Sequence, residues 1–148
     1  MWSSRLPPRR MPMARILVAE DDPSVRAFVV SALTMKGHEV VAEEDGGLAA
    51  ETIESEGGRF DLLLSDIKMP VMDGIALALQ VGSAYPDVTI VLMTGFADQR
   101  ERAHGLDALI YDVIVKPFTL AELLGKVEDA LEGRPVEVVP LARRALEE

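Results

Sequence analysis

Glu20, Asp21, Asp66, Thr94 and Lys116 all stand where an apolar run stops. "RILVAE" ends in Glu20, and Asp21 and Asp22 follow. "FDLLLSD" ends in Asp66, "DVTIVLMTG" in Thr94 and Gly95, and "YDVIVKP" in Lys116 and Pro117. Taken singly, each has an ordinary explanation. An acidic run is a solvated turn, Asp22 caps a helix, Thr-Gly makes a turn, and Lys-Pro ends an element. Brought together they are harder to dismiss. Gathered carboxylates repel, so they call for a cation, and oxygen ligands suit a hard divalent ion such as Mg²⁺. An Asp beside such an ion can attack phosphorus and form an acyl phosphate. The charge of the phosphoryl group then needs a cation such as Lys116, and the Thr94 hydroxyl can donate to one of its oxygens.

These residues meet only if the runs are strands of one sheet. Strands are read at 15–20, 38–44, 60–66, 87–95 and 111–117, alternating with helices at 22–37, 46–57, 74–85, 97–105 and 119–133. Pro23 fits a first helical turn, Gly37 a helix stop, and Thr119 with Glu122 a capping box. Val25, Phe28, Val29, Ala32 and Leu33 have the spacing of one buried helix face, and Leu48 and Ile53 are placed near another. Strict alternation of five strands with five helices argues for an α/β fold, a parallel sheet covered on both faces. Near-continuous apolar strands agree with that. In such folds the site lies beyond the carboxyl ends of the strands, where the strand order reverses.

The chain has 148 residues, enough for one domain with one core. We expect that domain at 14–132, after an N-terminal extension at 1–13 and before a tail at 133–148. The extension is basic and proline-rich and lacks the apolar core of a signal peptide. A net charge of −10 argues against nucleic acid as a partner, since that needs a basic surface. No apolar stretch is long enough to span a membrane. With no cysteine there is no disulfide, thiol nucleophile or thiolate metal site, which agrees with a cytoplasmic location.

With "ILVAEDDPSVR", "DLLLSDIKMPVMDG", "VLMTGFA" and "VIVKPFTLAEL" in this order, the chain resembles response-regulator receiver domains of the CheY type over about residues 14 to 132. The resemblance implies a flavodoxin-like sheet of strand order 2-1-3-4-5. It implies that Asp66 takes a phosphoryl group from the phosphohistidine of a histidine kinase or histidine phosphotransferase. Mg²⁺ is then held by Glu20 and Asp21, directly or through water, by Asp66, and by the backbone carbonyl of Lys68. Thr94 moves toward the phosphoryl group, Lys116 pairs with Asp66 and then with the phosphate, and the Lys116–Pro117 bond is cis. Output passes to a partner protein over the face made by 97–104, 111–116 and 119–132. A finer likeness, in "AEDD", "SDIKMPVMDGIALA" and "MTGFA", is to CpdR-type single-domain receivers. It implies a stand-alone switch that controls ClpXP-type proteolysis in the cell cycle.

Two departures bear on mechanism. Glu20 stands where Asp is more usual. Val113 holds the position three before Lys116, where the family often has an aromatic switch, and Tyr111 is the nearest aromatic, placed by alternation on the same strand face. Three rivals remain. One is an adaptor that works without phosphorylation, which the intact Asp66, Thr94 and Lys116 oppose. Another is a phosphatase, which would want a second Asp where Lys68 stands, so no turnover of an external substrate is expected. The third is an FMN binder, whose cofactor phosphate the acids after the first strand would repel.

Overall fold

The computed structural model describes residues 14–95, 106 and 108–133. Its strands are β1 Arg15–Ala19, β2 Glu39–Glu43, β3 Leu62–Asp66, β4 Thr89–Thr94 and β5 Asp112–Val115. Its helices are α1 Pro23–Met35, α2 Gly46–Ser55, α3 Gly74–Ala84 and α4 Leu120–Glu132. The helix expected at 97–105 lies outside the described residues, as do the extension and the tail after Gly133. The sheet runs β2-β1-β3-β4-β5 with every neighbouring pair parallel, the order that the resemblance implies. The order reverses at β1, which pairs with β2 on one side and β3 on the other.

Alternation along the strands sorts the core into two layers. Ile16, Val18, Leu62 and Leu64 face α1 and α4. Leu17, Leu63, Ile90 and Leu92 face α2 and α3. Leu62, Leu63 and Leu64 are all fully buried. At about 1.5–3 kcal/mol per buried leucine, they anchor the strand that ends in Asp66. The helix starts are fixed by side chains of the kind the sequence offers. Asp22 accepts the amides of Ser24 and Val25, Asp45 that of Leu48, and Asp73 that of Ala76. Thr119 and Glu122 form the capping box, and α4 closes on Gly133 at φ 68°, a conformation suited to glycine.

Two expected core positions fail. Phe28 is 42% exposed because it lies about 90° around α1 from the centre of the buried Val29, Ala32 and Leu33 stripe. Its ring meets Phe118 instead, with centroids 6.3 Å apart. Leu48 is exposed while Ile53 is buried, since five helical steps turn the chain by about 140°.

Candidate functional site

The sheet ladder runs one residue past two strands. The Glu20 amide donates to the Glu43 carbonyl at 3.1 Å, and the Lys116 amide to the Thr94 carbonyl at 2.7 Å. Alternation therefore continues, and Glu20, Asp66 and Lys116 follow Val18, Leu64 and Ile114 on the α1/α4 side. They converge at the carboxyl edge beside the β1–β3 reversal, where such folds hold their ligands.

Lys116 Nζ lies 2.7 Å from Glu20 Oε1 and 3.2 Å from Asp66 Oδ2. Glu20 Oε2 accepts the Asp22 amide at 3.0 Å, and Asp66 Oδ1 accepts the Ile67 amide at 2.9 Å. Glu20 is fully buried, Asp66 nearly so, and Asp21 exposed. One carboxylate oxygen from each of the three lies within 4.8 Å of the others. Such an all-oxygen set, partly open to solvent, fits a hard divalent cation that keeps some of its waters. Lys68 stands two residues past Asp66 with an exposed side chain. Thr94 is buried at the end of β4, in register with Val115, and alternation groups it with Ile90 and Leu92 on the α2/α3 side. Lys116–Pro117 is cis.

The family model for the response regulator receiver domain matches residues 16–128. The chain belongs to the response-regulator receiver family. It is 40% identical over 119 residues to the response regulator receiver protein CpdR of Brucella abortus (strain 2308), covering 80% of this chain and 98% of that protein. It is 37% identical to the response regulator MprA of Mycobacterium ulcerans (strain Agy99), covering 83% of this chain but only 52% of the relative, so it spans about half of that protein's length. Among solved structures, the response regulator TrrA of Thermotoga maritima, in complex with Mg²⁺ and BeF, superposes with a TM-score of 0.70 at 30% identity, over 78% of this chain and 97% of that one.

Charge dominates the site of this receiver. Burial raises the Glu20 and Asp66 carboxyls above their ordinary values, against the pull of Lys116. Burial pulls the Lys116 ammonium down, but its bond to Glu20 and the charge of Asp66 outweigh that and leave it raised. All three effects follow from taking paired charges partly out of water.

The structure corrects the place of Tyr111. β5 begins at Asp112, so strand alternation does not reach back to it. Val113 packs toward α2 and α3, whereas Tyr111 packs toward α1 and α4 and donates its hydroxyl to the Asp129 carbonyl at 3.2 Å. On β5, Thr94's side of the sheet therefore carries Val113 rather than an aromatic residue.

Several contributors escaped the sequence reasoning. Arg26 Nη1 donates to the Glu20 carbonyl at 2.8 Å and to that of Asp21 at 3.5 Å, pinning the turn that carries both acids. A basic residue one helical turn after an acidic strand end was the signal available. A Cβ on Gly74 would lie 2.1 Å from the Asp66 carbonyl oxygen, so only glycine lets α3 start this close to the site. Val71, between them, sits at φ 70° with 85% of its surface exposed. An apolar groove of about 470 Å³, lined by Val25, Phe28, Pro117 and Phe118 among others, opens beside Lys116.

Proposed function

We propose that the protein is a phosphorylation switch of a two-component relay in which Asp66 is the phosphoacceptor. The observation that carries this is the meeting of Asp66 with Glu20, Asp21 and Lys116 at the sheet reversal. An Asp66 carboxylate oxygen attacks the phosphorus of a phosphohistidine, the P–N bond breaks, and its electron pair stays on the imidazole. The product is an acyl phosphate. Asp21, Asp66 and the Lys68 carbonyl, with Glu20 directly or through water, are the residues suited to hold Mg²⁺, which when bound neutralises phosphoryl charge. Lys116 stabilises the remaining charge, and Thr94 donates its hydroxyl to a phosphoryl oxygen. Since Val113 stands where an aromatic switch is common, Thr94 reports the phosphate without one.

Phosphorylation then shifts an equilibrium between two surfaces of the protein, and an output partner reads the difference. The face that includes β5 and α4 is the part suited to this, with Val115 and Leu120 exposed on it. The kinship with CpdR, over nearly its whole length, supports a finer assignment: a stand-alone cytoplasmic regulator whose phosphorylation state controls a ClpXP-type protease. No helix among the described residues is long and apolar enough to cross a membrane.

The test is intact mass after incubation with Mg²⁺ and a small phosphodonor such as acetyl phosphate. Wild type is expected to gain one phosphoryl group, and Asp66→Asn none. A wild type that gains none would leave the phosphorylation-independent adaptor in its place.

A further inference from the structure

The glutamate at position 20 has a consequence that an aspartate would not. Its side chain is one methylene longer, and here that reach is used on Lys116 rather than on solvent. Oε1 takes the ammonium at 2.7 Å, inside the range of a charge-assisted hydrogen bond, while Asp66 Oδ2 stands further off at 3.2 Å. Oε2 takes the Asp22 amide, so both oxygens are engaged by the protein itself. Arg26 is nearby, but its bonds go to the backbone carbonyls of Glu20 and Asp21. The buried carboxylate thus relies on Lys116 for its counter-charge.

We propose that Glu20 is a positioning residue that holds the Lys116 ammonium in the metal-free protein, and that a divalent cation at the acidic cluster releases the lysine toward Asp66. This rests on the phosphoacceptor reading of the site. For Lys116 to serve phosphoryl oxygens on Asp66, Nζ has to leave Glu20. A fully buried carboxylate stripped of Lys116, its ionic partner among the described residues, is strongly unfavourable. The departure becomes favourable once another positive charge takes over, and the cluster of Glu20, Asp21 and Asp66 is where that charge fits. Lysine and metal therefore trade places at Glu20. An aspartate there, a methylene shorter, would leave Lys116 on Asp66 from the outset.

The side-chain ¹⁵Nζ signal of Lys116 reads this directly in the full-length chain labelled with ¹⁵N-lysine. In metal-free protein, Glu20→Gln and Glu20→Asp are expected to move that signal further than Asp66→Asn does, since the lysine lies closer to Glu20. Titrating wild type with Mg²⁺ is expected to move it in step with the Asp21 amide, to a position near that in Glu20→Asp. Glu20→Gln is expected to weaken Mg²⁺ binding by about 10- to 100-fold, and Glu20→Asp much less, because its charge remains. A purely structural Glu20 would not make the lysine signal follow the metal. The proposal is overturned if Asp66→Asn moves the signal as far as the Glu20 variants do, or further. It is also overturned if Mg²⁺ shifts the Asp21 amide and leaves Lys116 unmoved. Should Mg²⁺ leave the Asp21 amide unchanged as well, the metal reading of the site falls and the exchange with it. If Glu20→Gln does not fold, the wild-type titration decides alone.

Discussion

Asp66 sits in a place with little water. Its carboxyl is raised by burial more than Lys116, the Ile67 amide and their charges lower it, so in the metal-free protein ionised Asp66 is a net cost to folding. A carboxyl raised in the folded state stabilises below its unfolded value, and that contribution is lost as pH rises through the folded value. Asp66→Asn, which carries no charge, is therefore expected to be more stable than wild type at neutral pH without metal. The gap should close as pH falls through the raised Asp66 value. Urea denaturation at several pH values in chelator checks it, and a gap that widens toward acid would contradict the raised carboxyl. At this scale the sequence was informative about which residues meet. Acids and an amine at the ends of parallel strands must share an edge, and the structure then places Glu20, Asp66 and Lys116 on one side of it. The resemblance paired Lys116 with Asp66, which it does contact, and gave no sign that the lysine lies closer to Glu20. That depends on a glutamate side chain reaching a residue 96 positions away, and spacing along the chain carries no record of it.

The loop from Ile67 to Asp73 turns a strand end into a site, and it does so at a cost in backbone freedom. Gly74 closes the loop by donating its amide to the Ile67 carbonyl at 2.7 Å, with the Asp66 carbonyl packed where a Cβ would go. Gly74→Ala is expected to destabilise by about 1–3 kcal/mol through this clash and to slow phosphorylation of Asp66. Urea denaturation and intact mass check the two effects, and an unperturbed variant would refute the close approach. Val71 is the opposite case. A β-branched residue at positive φ is strained, and this one has little packing to lose. Val71→Gly is expected to stabilise by up to about 1 kcal/mol, the relief of a left-handed Val less the added freedom of glycine. A lower denaturation midpoint would count against strain at this residue. Elements were legible where a side chain announces a boundary, as Asp22 and Thr119 do. They were less legible where a boundary decides a face. Tyr111 was assigned by an alternation that starts one residue after it, and Leu48 by a spacing that does not close on a helix.

The whole molecule carries a net charge of −10 and gathers part of that charge at one edge of its sheet. A cation bound there stabilises the folded state by mass action, about 2.7 kcal/mol at a free concentration one hundred times its dissociation constant. Mg²⁺ is therefore expected to raise the urea midpoint of wild type, to do so less for Asp66→Asn, and to lose part of the effect in high monovalent salt, which screens the field of the acidic surface. Equal midpoints in Mg²⁺ and in chelator would remove the metal from the account. The sheet order itself has a consequence in time. β1 and β3 place both acids early in the chain, and the amine that compensates them enters only after β5, 96 residues beyond Glu20. A nascent chain on the ribosome carries both acids before it carries their lysine, and the domain they share folds as a unit. A chain that stops before residue 116 therefore holds the acids without the ammonium that pairs with them.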